Sequence, residues 1–212
     1  METLPVPPVS GRTLASRERI VEAARDEVLV KGILGLRVQD VAAKAKVSVP
    51  LIYKYFEDRD GLLAEVLGRM FEEIVIEYVE AAEEYFAHLE SPTIDDLVAV
   101  FARPSDEFRK GRRWLRVQIM AASMEIPALR ERLSVVQGHI NERSAQFMTV
   151  AQERIWGRVV VPPRALANAI QSLGIGFVLN DLVEDHEKLT DEEHHAMLRA
   201  MFEGSLGRTR VD

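Results

Sequence analysis

The stretch KVSVPLIYKYFEDRDGLL, residues 46–63, decides the fold. Lys46-Val47-Ser48 reads as a turn, Ser48 as the N-cap of a short helix over Val49 to Phe56, and Pro50 sits in the first turn, where its missing N–H costs nothing. Ile52 and Phe56 are four residues apart and so point to one core, which leaves Val49, Pro50, Tyr53 and Lys54 facing outward with Leu51 and Tyr55 at the flanks. Asp58 is an N-cap for a longer helix, expected to break near Gly68 and to stop at Ser91-Pro92. Working back from the turn, Val38 to Ala45 forms a short helix that buries Val41 and Ala42. Before it, Ser16 caps a first helix with Ile20, Ala23, Ala24 and Val28 on one face, ending near Lys31-Gly32. Two short helices joined by a three-residue turn make a helix-turn-helix, and a second helix held this way fits the ~12 Å major groove of B-DNA.

The run from Arg19 to Leu63 also resembles a known domain. Its segments IVEAA…G, VAAKAKVS and IYKYFEDRDGLL match in order and spacing the DNA-binding domain of the tetracycline-repressor (TetR) family of bacterial transcription regulators. By that resemblance Tyr53, Lys54 and Tyr55 are groove and phosphate contacts, and Arg59 stands where the family has a phosphate-gripping lysine. Arg37, Val38 and Gln39 open the second helix, which in the family also meets the DNA backbone. Ser48 and the free N–H groups of the third helix offer a further anion site. Three departures stand out. Lys46 replaces the usual turn glycine, at about 1 kcal/mol if that residue is left-handed. Arg37 replaces a small N-cap residue. Val49-Pro50-Leu51 makes the reading face apolar, which shifts specificity toward thymine methyls and DNA shape.

Charge is distributed to match. The 212 residues carry a net charge of −7, yet residues 1–60 hold ten Lys/Arg against nine Asp/Glu, leaving seventeen against twenty-five for the remainder. A polyanion is therefore admitted by the first part and repelled by the second. There is no cysteine, which excludes disulfides and thiolate chemistry. No apolar run approaches the ~20 residues of a membrane span, and residues 1–11 do not read as a signal peptide, so a cytoplasmic protein with no membrane partner is expected.

Helical periodicity continues to the C-terminus, with helices expected over Thr93 to Ala102, Asp106 to Ser123, Pro127 to Trp156, Pro163 to Val183 and Asp191 to Ser205. Large apolar groups accumulate in the middle helices, and Phe86, Phe101, Trp114, Gln118, Met120, Met124, Phe147 and Met148 are the candidate lining of a small-molecule pocket, with plain core as the competing reading. Arg112, Arg113, Arg116 and Arg130 lie among them, as an anion site or as surface charge. The segment RALANAIQSLGIGFVLNDLV is apolar nearly all round, which a helix shows when buried on more than one side. Ile170, Leu173, Gly174, Phe177 and Val178, with Met201 and Phe202 from MLRAMFEGSL, are the candidate dimer interface, against the alternative of a helix buried in the monomer. His186, His194 and His195 sit among acids, but their spacing matches no metal-ligand pattern, and no phosphate loop, nucleophile elbow or paired carboxylate points to an enzyme or a cofactor.

The sequence thus predicts an all-α chain: a flexible arm over 1–14, a three-helix helix-turn-helix DNA-binding domain over 15–60, and a helical ligand-binding and dimerisation domain over 61–212. The function expected is a ligand-responsive transcription regulator, read as a repressor, with a double-stranded palindromic operator, a small-molecule effector and a second copy of the chain as partners. The alternative is a helical small-molecule-binding or protein-interaction dimer that keeps the shape without binding DNA.

Overall fold

Helix propensity, caps and proline punctuation divide the described residues into helices. In the computed structural model, which describes residues 11–101 and 105–206, the described residues form nine α-helices, a 3₁₀ turn at Asp185–Glu187 and no strand. In order these are α1 (Gly11–Gly35), α2 (Val38–Ala45), α3 (Val49–Phe56), α4 (Arg59–Ala87), α5 (Ile94–Ala99), α6 (Glu107–Glu125), α7 (Pro127–Trp156), α8 (Pro163–Asn180) and α9 (Asp191–Leu206). The part of the expected arm over residues 1–10 lies outside the described residues, and the chain is already helical at Gly11. Ser16 is therefore an internal residue and not a cap, its hydroxyl accepting from Arg19 at 3.3 Å. The helix ends where the sequence places it: Gly32 adopts φ 75°, ψ 170° and turns the chain before Ile33 to Gly35.

One compact unit runs to Met70 and includes Ile119–Ser134. Its core takes Ile20, Ala24 and Val28 from α1, Val41 and Ala42 from α2, Ile52 and Phe56 from α3, and Leu62, Leu63 and Leu67 from α4. Full burial of an aliphatic side chain such as Ile52 is worth roughly 1.5–3 kcal/mol. α2 closes with the Schellman pattern: Lys46 is left-handed (φ 55°, ψ 49°), its N–H donates to the Ala43 carbonyl, and the N–H of Val47 donates to that of Ala42 at 3.0 Å. A lysine here carries the backbone cost that a glycine avoids. After α3, Asp58 caps α4 by accepting from the N–H of Gly61 at 2.7 Å. No side chain fits at Gly61, because a Cβ there would stand 2.1 Å from the Phe56 carbonyl oxygen. The break expected at Gly68 does not occur. That glycine is buried inside an unbroken α4, where a Cβ would strike the Arg132 side chain at 2.5 Å.

The other unit comprises Phe71–Gln118 and the chain from Val135. Phe86 and Phe147 meet edge to face at 5.3 Å in a core shared with Leu97, Val98, Ala151, Ala167, Leu198 and Phe202. Gln152, fully buried, fastens the α7–α8 link by accepting from the N–H groups of Val160 and Val161 and donating to the Val161 carbonyl. Thr93 and Asp96 form a capping box that starts α5. α8 ends at Asn180, short of the expected Val183, where the Asn180 carboxamide turns to accept from the N–H of Leu189 at 2.6 Å.

Candidate nucleic-acid interface and ligand cavity

The third helix presents the mixed face its spacing dictates. Ile52 and Phe56 are buried, Pro50, Lys54 and the 41 % exposed Tyr53 face outward, and Val49, Leu51 and Tyr55 are half-buried. Ser48 occupies the N-cap position with extended backbone, but its hydroxyl makes no capping bond. Arg37 and Gln39 are exposed at the start of α2; Val38 between them is turned into the core, so only its backbone is available to a partner.

The cations of this unit divide into two sets. Lys31 bridges Glu27 and Asp40, and Lys44 meets Asp26 at 3.0 Å, joining α1 to α2. Arg17 and Arg69 share Glu65, and Arg69 also reaches Glu18, joining α1 to α4. Arg59 is spent locally: its guanidinium donates to the carbonyls of Ile33 and Leu36, both at 3.2 Å, and lies 3.6 Å from Asp60. Arg19 on α1 meets only the Ser16 hydroxyl, and among the described residues Arg37, Lys46 and Lys54, which fall at the N-cap of α2, in the turn and on α3, meet no carboxylate within ion-pair distance. Their charge stays directed at solvent, as a phosphate-binding surface requires.

In the second unit a cavity of about 130 Å³ opens among α4, α6, α7, α8 and α9. Of the expected lining, Phe101, Phe147 and Met148 stand on its wall. Phe86 lies behind Phe147 in the core. Trp114 and Gln118 are elsewhere on α6, and Met120 and the largely exposed Met124 belong to the first unit. The reason is helical register: the face of α6 that lines the cavity is set by Arg109, Arg112, Arg113 and Arg116, which recur at three- and four-residue steps. A stripe of arginines at core spacing was the available signal. Arg130, on α7, instead caps α6 by donating to the carbonyls of Ser123 and Met124.

The residues expected at a dimer interface separate. Ile170, Leu173, Gly174 and Phe177 line the cavity, and Phe177 and Phe202 are covered within their own unit, Phe202 to 2 % exposure, because they fill its core. Val178 is half-buried. Leu179 on α8 and Met197 and Met201 on α9 are exposed and carry the outward apolar surface of those helices, with Leu182 exposed just past the end of α8. His194 packs its ring edge-on against Phe177 at 4.7 Å, and burial lowers its pKa. Among the described residues no group of His, Asp or Glu is placed to hold a metal ion, and no helix is long and apolar enough to cross a membrane.

Comparison with known proteins agrees with this geometry. Residues 20–66 match the family model of bacterial regulatory proteins of the tetR family. Over 62 residues the chain is 37 % identical to the HTH-type transcriptional repressor SCO4008 of Streptomyces coelicolor, covering 29 % of this chain and 32 % of that one, so the match spans about a third of the relative's length. A crystal structure assigned to the TetR-family transcriptional regulators, from Mesorhizobium loti, superposes with a TM-score of 0.65 over 93 % of this chain and 98 % of its own, at 18 % identity. A transcriptional regulator from Saccharomonospora viridis, solved in complex with choline, does so with a TM-score of 0.57 over 89 % and 95 %, at 19 % identity. Residues 20–66 thus resemble the amino-terminal domain of the tetR family of bacterial regulatory proteins, and the chain as a whole shares the fold of these structures.

Proposed function

We propose that the chain is a ligand-responsive transcriptional repressor that acts in the cytoplasm, binds a palindromic operator as a homodimer and is released from it by a small molecule. The observation that carries this reading is the segregation of charge in the first unit. Elsewhere in the unit Arg17, Lys31, Lys44, Arg59 and Arg69 are taken up by carboxylates or carbonyls and Arg19 meets the Ser16 hydroxyl, while Arg37, Lys46 and Lys54 around the helix-turn-helix are left to solvent beside Tyr53 and Ser48. Arg37 and Lys54 serve as phosphate contacts, with Gln39, Ser48 and Tyr55 beside them; Val49, Pro50, Leu51 and Tyr53 meet the floor and wall of the major groove.

Two-fold pairing of subunits through the outward faces of α8 and α9, with Val178, Leu179, Met197 and Met201, presents two reading helices to successive half-sites. The cavity is the effector site. Its wall includes Ile74, Val75 and Tyr78 of α4, the same helix whose amino-terminal turns pack on α3, so a ligand that prefers one placement of α4 biases DNA affinity by its differential binding. The polar groups of the cavity wall are four arginines, Tyr78, Ser144, Gln171 and His194, a set suited to holding a ligand.

Selection of bound sites from a random double-stranded DNA pool, at two salt concentrations, tests the reading. The expected result is a palindromic consensus that survives the higher salt; a folded dimer that enriches nothing would overturn it.

A further inference from the structure

The arginine stripe of α6 leaves one charge uncompensated. Arg109 meets Asp106 at 3.0 Å, Arg112 meets Glu77, and Arg113 meets Asp181 at 3.1 Å. Arg116 is only 8 % exposed and lies over the Phe71 ring, yet among the described residues no carboxylate approaches it. The cavity lining itself contains no Asp or Glu. Its buried polar atoms are donors in search of acceptors: the Tyr78 and Ser144 hydroxyls and the Nε–H groups of Arg112 and Arg116 have no hydrogen-bond partner. Uncompensated burial of a guanidinium is costly. It draws the Arg116 pKa down to about 10, against the pull of Tyr78, so the group is still charged at neutral pH. Burial raises the Tyr78 pKa, which keeps its proton for donation, and His194, lowered by burial, adds no second cation. Across from these groups the wall is apolar, formed by Val75, Val79, Phe101, Phe147, Met148 and Leu198.

We propose that the cavity binds a small amphipathic carboxylate, its anionic head at Arg116 with Tyr78 and Ser144 as further donors and its hydrocarbon body against the apolar wall. This rests on the reading of the cavity as the effector site. One uncompensated cation matches one negative charge, and a cavity of about 130 Å³ is close to the ~150 Å³ that holds a benzene molecule, so the body is a single ring or a short chain. Free phosphate would satisfy the cation but leave the apolar wall unmatched.

Calorimetric titration of the full-length protein, without DNA, with benzoate, phenylacetate, hexanoate, benzamide and inorganic phosphate, each at millimolar concentration, tests the inference. At least one of the carboxylates is expected to bind, with benzamide and phosphate weaker by about tenfold or more. Arg116→Met should lose carboxylate binding by a similar factor while keeping its helical circular dichroism. Tyr78→Phe, which removes a single oxygen, should weaken the same ligand several-fold and serves if the first variant does not fold. Silence from all three carboxylates, equal binding of benzamide and benzoate, binding of phosphate alone, or unchanged affinity in both variants would each overturn it. Operator selection on the same preparation separates the two readings: DNA enrichment without carboxylate binding removes this ligand class and leaves the DNA-binding function standing.

Discussion

The two units treat their cations in opposite ways. Around the helix-turn-helix, Arg37, Lys46 and Lys54 are left in water, where a charge costs little to keep and is free to meet a phosphate. On α6 the arginines are turned inward, three compensated by carboxylates and Arg116 by none. An exposed cation is suited to long-range attraction of a polyanion that salt weakens. A buried one sits in a medium where salt screens poorly and a matching anion is worth far more.

The largest effect that would test this contrast is on DNA. Replacing both Arg37 and Lys54 by Ala removes two phosphate contacts from each of two subunits and should lower operator affinity by about a hundredfold or more and reduce the salt slope by about three to four, with the melting temperature unchanged. A full-strength slope would break the outward half of the comparison. Next comes Arg59→Ala. Because this guanidinium holds the Ile33 and Leu36 carbonyls, the variant should lose about 1–3 kcal/mol in urea unfolding, whereas a residue that only gripped phosphate would leave stability alone. Arg116→Met removes a buried charge without a partner and should stabilise the unliganded protein by about 1–2 kcal/mol; a loss of that size would show the charge is compensated. Smallest is Lys46→Gly, which relieves the left-handed backbone and should add about 1 kcal/mol while removing one surface cation.

The same contrast governs what could be read from residue order. The first unit was legible because its signals are local: the limits of α3, the Asp58 cap and the inward pair Ile52 and Phe56 all follow from spacing within a few residues, and each is where that spacing puts it. The start of α1 was not, since Ser16 offers a cap that the helix, already running from Gly11, does not use. In the second unit the aromatic residues divide: Phe101 and Phe147 stand on the cavity wall, and Phe86 and Trp114 do not. Trp114 is the largest apolar group of α6, but the register of that helix gives the cavity to arginines, which a hydrophobicity pattern counts as solvent-facing. Phe177 and Phe202 show the converse limit: a helix apolar all round does not say which of its faces belongs to its own core, and these two do.

With a Cβ at Gly61 only 2.1 Å from the Phe56 carbonyl, and Asp58 clamped over the first turn of α4, the joint between α3 and α4 has no play. On the proposed function, a joint this close ties α3 to the start of α4, so a tilt of one is expected to carry the other. A joint without slack lets a displacement too small to break any hydrogen bond still move a side chain off its base.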